Sequence, residues 1–186
     1  GEGRNAPPSN EDMGAVVAAT LADPAPHIGK TYRPTGPKLL TPEEIAATFA
    51  KVLSRDVKYA PSSVDMFVKA ATVAGFPAHE ISQVRLYFTD YQQDAFAVGA
   101  PTDVVRELTG RDPEDFETIC RRYVAERPEA LPSLGNKMGA LSRLARAMLM
   151  RAPDMDAFAR EQNHPPLFDA SFAQDAREWR RTHALA

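Results

Sequence analysis

Aromatic side chains crowd one short stretch of the chain: Tyr87, Phe88 and Tyr91 fall within two helical turns, and Phe96 follows about a turn later. Phe88 belongs to the apolar stripe of that stretch, while Tyr87 projects elsewhere. Phenols beside an apolar wall suit a small-molecule cleft, and they equally suit core or interface packing; the spacing leaves both open. Other chemistry-bearing residues are sparse. His27, His79, His164 and His183 lie far apart, with no carboxylate or thiolate at ligand spacing, and read as loop or surface histidines rather than a metal centre. The single cysteine, Cys120, excludes an internal disulfide framework. It lies on an apolar helical stripe with nothing nearby in sequence to lower its pKa, so it reads as a small buried hydrophobe rather than a nucleophile. Neither a Walker loop nor G-x-G-x-x-G is present, since Gly1-x-Gly3 lacks the third glycine and a preceding strand, and no G-x-S-x-G elbow occurs. Dinucleotide binding by this chain alone is not expected.

Two helical patterns invite nucleic-acid or membrane readings. Asp103–Val124 has the outline of a helix-turn-helix, with Gly110 in the turn. Its second helix, however, opens on Asp112-Pro113-Glu114-Asp115, with Glu117 beyond. A recognition helix presents those positions to base edges between phosphates, and Arg121 and Arg122 lie too far along to compensate. Two core helices, the second capped by acids, is the better reading. Around Asn136–Met150, Met138, Leu141, Leu144, Ala145, Met148 and Leu149 share one side, with Lys137, Arg143, Arg146 and Arg151 largely on the other. Such a helix can meet a membrane surface or a partner's groove; the expectation is that it packs its stripe on its own domain.

Composition agrees with these exclusions. With 22 basic and 25 acidic residues the net charge is −3, against a nucleic-acid partner. No apolar run approaches the ~20 residues of a membrane span, and the polar opening Gly1-Glu2-Gly3-Arg4-Asn5 is not a signal peptide. The expectation is a cytoplasmic chain with no membrane partner. At 186 residues, 44% hydrophobic and 25% charged, it is one globular domain or a large piece of one. Such a chain buries roughly 70% of its unfolded surface without staples. The start at Gly1, in what reads as mid-loop, suggests a processed product, a tag remnant or a fragment of something longer.

The elements that must position these residues are mostly helices with sharp boundaries, as 16 prolines against 10 glycines imply. Ser9 caps a first helix with Asp12 as its capping-box partner, Met13, Val16, Val17 and Leu21 lining one face, and Asp23-Pro24 ending it. Thr41-Pro42-Glu43-Glu44 opens a second, carrying Ile45, Phe49, Val52 and Leu53. Further helices run from Ser63 to Gly75, from about Ala78 to Phe96, from a Thr102 cap to Gly110, and from Asp112-Pro113 through Val124. Short strands are read at Lys30–Thr35 and Val57–Ala60. A Pro-rich hinge, 128–132, divides a body, 1–127, from a helical tail, 133–186, with helices near 136–150, 154–162 and 171–183. The fold class is mainly α with two or three short strands, and those strands want a larger sheet to join.

Specific strings then carry a resemblance. Pro8-Ser9-Asn10-Glu11-Asp12-Met13, His27-Ile28-Gly29-Lys30-Thr31-Tyr32, Thr35-Gly36-Pro37, Leu40-Thr41-Pro42-Glu43-Glu44-Ile45-Ala46 and Val57-Lys58-Tyr59 occur in the order seen in the C-terminal half of NmrA-like proteins. Pro101-Thr102-Asp103-Val104 and Thr109-Gly110-Arg111-Asp112-Pro113-Glu114-Asp115-Phe116 resemble the end of that pattern. Residues 1–127 are thus similar to the substrate-side half of this branch of the extended short-chain dehydrogenase/reductase superfamily. The resemblance implies a Rossmann half upstream that binds NADP or NAD, with no cofactor on this chain alone and no catalytic residue carried over. It implies hydride transfer to a small apolar or quinone-like molecule in the intact protein. A non-catalytic redox-sensing regulator, or an interaction module whose 133–186 tail binds a protein partner or a second copy, is the alternative. In α/β folds ligands sit outside the carboxyl ends of the strands, which puts the loop Glu2–Pro8 and the turn following Thr35 among the expected cleft segments. Arg4 and Asn5 there either reach a polar substrate group or stand in a solvated loop, and the aromatic helix with Tyr87, Tyr91 and Phe96 helps wall the cleft.

Overall fold

The computed structural model describes residues 3–164, and they are mainly helical. Nine α-helices are found among them: α1 Asn10–Ala22, α2 Pro42–Leu53, α3 Val64–Ala74, α4 Ala78–Val84, α5 Tyr87–Gln92, α6 Val104–Thr109, α7 Phe116–Ala125, α8 Leu134–Leu149 and α9 Met155–Glu161. They pack in pairs, α1 on α6, α2 on α7, α3 on α8 and α4 on α9. Val16, Val104 and Val105 form one buried cluster, joined by Tyr32 and Leu108. Val68, Ala71, Ile81 and Met155 form another, joined by Phe67 and Phe158. The helix expected at 171–183 lies outside the described residues.

Helix starts follow local chemistry. Thr41 and Glu44 form a reciprocal capping box, with Pro42 in the first turn. Ser9, Ser63, Asp115, Ser133 and Asp154 each accept a backbone N–H from three residues on. Gly75 and Gly110 end α3 and α6 in the left-handed conformation.

Several expectations fail where a distant residue outbids the local one. Neither Lys30–Thr35 nor Val57–Ala60 is a strand; among the described residues the backbone ladder is a single antiparallel rung, Asn5 with Leu40. Residues 33–35 are instead stapled through side chains. Arg33 donates to the carbonyls of Phe96 and Val98, and Thr35 Oγ1 accepts the Thr102 N–H at 2.8 Å. Thr102 Oγ1 donates to the Arg33 carbonyl, so Thr102 does not cap α6. Asp12 does not complete a capping box either. Fully buried, its carboxylate lies 2.7 Å from Arg111 Nη1 and accepts the Glu114 N–H at 2.9 Å. That capture holds Asp112–Glu114 out of the helix, and α7 starts one turn later than expected, at Phe116.

The single helix expected from Ala78 to Phe96 is broken twice. Around Arg85-Leu86 the bonding tightens to three-residue turns, and Asp94 takes a left-handed φ of 54° before a 3-10 turn at Ala95–Ala97. The apolar stripe of α8 also turns the other way. Ala147, on the opposite side, is buried where α8 meets α3, while Met138, Leu141, Leu144 and Met148 are more than half exposed. Beyond Pro128 the described chain returns to the body, through α8 on α3 and α9 on α4.

Candidate functional site

The segment before α1 is held against α5 by its backbone. Asn5 and Leu40 exchange both N–H···O bonds, at 3.0 and 2.7 Å, and the Gly36 N–H donates to the Ala6 carbonyl at 2.9 Å. Gly3 runs so close to α5 that a Cβ there would lie 2.0 Å from the Tyr91 carbonyl oxygen. This requirement is steric contact, the role glycine serves wherever two backbones must touch.

That close approach sets the polar pairing. The Arg4 N–H donates to Asp94 Oδ1 at 2.7 Å, and the Arg4 guanidinium grips Oδ2 with Nη2 at 2.7 Å and Nε at 3.3 Å. The Arg4 hydrogen bonds hold the Asp94 carboxyl below its usual range. Both side chains are 40–49% exposed, so the pair orients the turn more than it stabilises it. One residue on, Asn5 Nδ2 donates to the Tyr91 hydroxyl at 2.9 Å. The Tyr91 ring lies 4.8 Å from Phe96, and Phe96 takes Tyr87 edge-on at 5.7 Å. Arg4, Asn5, Tyr87, Tyr91 and Phe96 therefore form one connected cluster.

Of these, Tyr91 also lines a cavity of about 330 Å³, with Pro42, Ile45, Tyr59, Ala60, Ser62 and Phe88. Arg4, Asn5, Tyr87 and Phe96 stand behind it rather than on the cavity wall. Burial pushes the Tyr91 phenol above its ordinary pKa, partly offset by the Asn5 hydrogen bond. The phenol is thus protonated at neutral pH. With Asn5 donating to its oxygen, its own O–H remains a donor. A small, mostly apolar cavity with a phenol-bearing residue on its wall suits a flat apolar molecule. Sequence reading missed Ile45, Tyr59 and Phe88 as wall residues. Phe88 fell on a core stripe and Tyr59 in an expected strand, and no local signal marked either as facing open space.

A second titratable group sits on the same helix. Asp90 is 8% exposed and has no hydrogen-bond or ion-pair partner among the described residues, and burial raises its pKa. Cys120 is buried on α7, and burial followed by the Glu117 charge raises its thiol, the opposite of a reactive cysteine. No cluster of three or more metal-ligating side chains occurs among the described residues. None of their helices is long and apolar enough to cross a membrane.

A dinucleotide finds no fitting cradle among these residues. The left-handed glycines Gly29, Gly75, Gly99 and Gly110 lie at separate turns. At Gly3 and Gly36, where backbone approaches closely, the space is filled by this chain's own Tyr91 and Pro7 carbonyls.

No protein-family model matches the chain, and no solved structure does. Among characterised proteins, it is 26% identical over 131 residues to an NAD(P)H azoreductase from Xenophilus azovorans, covering 67% of the chain and 43% of that protein. It is 30% identical over 119 residues to a (4-alkanoyl-5-oxo-2,5-dihydrofuran-3-yl)methyl phosphate reductase from Streptomyces griseus, covering 64% of the chain and 39% of that enzyme. The match thus spans less than half the length of either relative, and the distant similarity is to reductases.

Proposed function

We propose that this chain is the substrate-side portion of an NAD(P)H-dependent reductase of the NmrA-like kind, acting on a small apolar or quinone-like molecule. The supporting observation is the 330 Å³ cavity walled by Ile45, Tyr59, Phe88 and Tyr91, with the Tyr91 phenol held by Asn5. Partial similarity to two reductases supports the reaction class. The dinucleotide, which supplies hydride when bound, belongs on this reading to a preceding half of the intact protein. The residues of this chain bind and orient the substrate. Ile45 and Phe88 exclude water from its apolar face, and the Tyr91 O–H donates to an acceptor oxygen. Behind Tyr91, the Arg4–Asp94 and Asn5 contacts fix where its helix stands.

The test is menadione binding to the 186-residue chain, followed by fluorescence quenching or calorimetry. Saturable binding that Tyr91→Ala weakens about tenfold, the equivalent of about 1.4 kcal/mol, supports the reading. Unchanged affinity in that variant overturns the cleft. NADPH titrated against the same chain is expected to show no saturable binding. A saturable signal would mean that the dinucleotide half is not separate.

One observation favours a second reading, a regulatory or interaction module of the same family. The exposed stripe Met138, Leu141, Leu144 and Met148 on α8 is the sort of surface that a protein partner or a second copy would cover.

A further inference from the structure

A second cavity, of about 670 Å³, opens where the turn between α8 and α9 meets α3 and the end of α4. It shares no wall residue with the Tyr91 cavity. Val64, Val68, Pro153 and Met155 give it an apolar side. Its charged side sets Lys69, Arg85 and Arg151 against Asp65, Asp154 and Asp156.

These opposing charges are not equally free. Asp154 caps α9, accepting the Ala157 N–H at 2.8 Å, and Asp156 lies 2.7 Å from Arg85 Nη1. The Arg85 side chain is only 16% exposed. Its Nη2 donates to the Met155 carbonyl at 3.2 Å, but its buried Nε–H has no acceptor among the described residues. Lys69 is half-buried, and neither it nor Arg151 has an ion-pair partner among the described residues. A half-buried lysine without an ion-pair partner among the described residues and a buried orphan donor are a standing cost on this wall, to which the exposed Arg151 adds positive charge. A multi-oxygen anion would relieve it with charge-assisted hydrogen bonds.

We propose that this cavity binds a small molecule carrying a phosphate monoester, the phosphate meeting Lys69, Arg85 and Arg151 and the organic part lying on Val64, Val68 and Met155. Three cationic side chains from three different elements match an anion with three terminal oxygens better than they match a carboxylate with two. The volume lies in the range of small-molecule pockets, roughly 300–1,000 Å³, so the ligand has an organic body rather than being a bare ion. This site stands whether or not the chain belongs to a reductase.

Calorimetric titration of phenyl phosphate into the 186-residue chain, at about 0.15 M salt where long-range attraction is screened, tests it. Saturable binding is expected, with inorganic phosphate weaker and benzyl alcohol showing none. Lys69→Gln combined with Arg151→Gln should weaken phenyl phosphate about tenfold or more while leaving the unfolding temperature unchanged. Asp65→Asn, which removes a wall carboxylate without a partner among the described residues, should tighten it. The proposal is overturned if phenyl phosphate does not saturate by about 10 mM, the limit of any useful affinity, or if the double variant binds as well as the parent. It is equally overturned if benzyl alcohol or inorganic phosphate binds as tightly as phenyl phosphate.

Discussion

Asn5 donates its side-chain amide to the hydroxyl of Tyr91 across 86 residues of sequence, and this bond ties the segment before α1 to the wall of the candidate cleft. Tyr91→Phe keeps the ring and its stacking on Phe96 but removes the acceptor. A neutral hydrogen bond contributes about 1 kcal/mol net, which for a chain of this size is a fall of roughly 2–4 °C in unfolding temperature. Menadione affinity should fall as well. Loss of affinity with an unchanged melting point would assign the hydroxyl to the ligand alone; no change in either would remove the bond from any role.

Gly3→Ala is expected to be costly for a residue so near the chain start. The added methyl would meet the Tyr91 carbonyl at 2.0 Å, backbone against backbone, so neither side can rotate away. Overpacking of this kind costs about 1–3 kcal/mol. Urea unfolding should show a lower midpoint, whereas Gly14→Ala, with open space around it, should leave the midpoint unchanged or raise it.

Two carboxyls should bend the pH dependence of stability in opposite senses. The Arg122 guanidinium, aided by the Ser9 hydroxyl, lowers the Glu114 pKa to about 2 from 4.5. The folded state therefore binds this proton less readily than the unfolded one, and the stabilisation present above pH 4.5 is lost as pH falls toward 2. Glu114→Gln should flatten that acid limb of the urea midpoint. Asp90, raised by burial, has the reverse sign: its contribution is best below its unfolded pKa and worsens as pH rises through the folded one. Asp90→Asn is expected to stabilise the protein at pH 7, and the gain should vanish in acid. A gain that persists unchanged in acid would mean that ionisation is not the cause.

The two sides of α8 should respond unequally to substitution. Leu141→Gln and Met148→Gln fall on the exposed side and should change the unfolding free energy by no more than about 0.5 kcal/mol. Ala147→Leu, at a position 3% exposed where α8 meets α3, should destabilise by about 1–3 kcal/mol through overpacking. Equal responses would mean that α8 does not pack on α3 as described.

Caps and stops were readable locally because their chemistry is local. Ser9, Thr41 and Ser63 each meet a backbone N–H one turn away, and Gly75 and Gly110 tolerate a left-handed φ wherever they stand. That the chain is mainly helical follows from the same short-range periodicity. Tertiary structure decided the rest, since the winning partner lay about 60 to 110 residues away. Thr35 took the Thr102 N–H from any strand neighbour, Asp12 took Glu114 and Arg111 and delayed α7, and Arg4 took Asp94 as α5 ended. The aromatic grouping at Tyr87, Tyr91 and Phe96 was visible as spacing along one stretch. Only the fold could open a cavity on the far side of Tyr91, because free volume depends on where separate elements fail to meet, and no single segment encodes that.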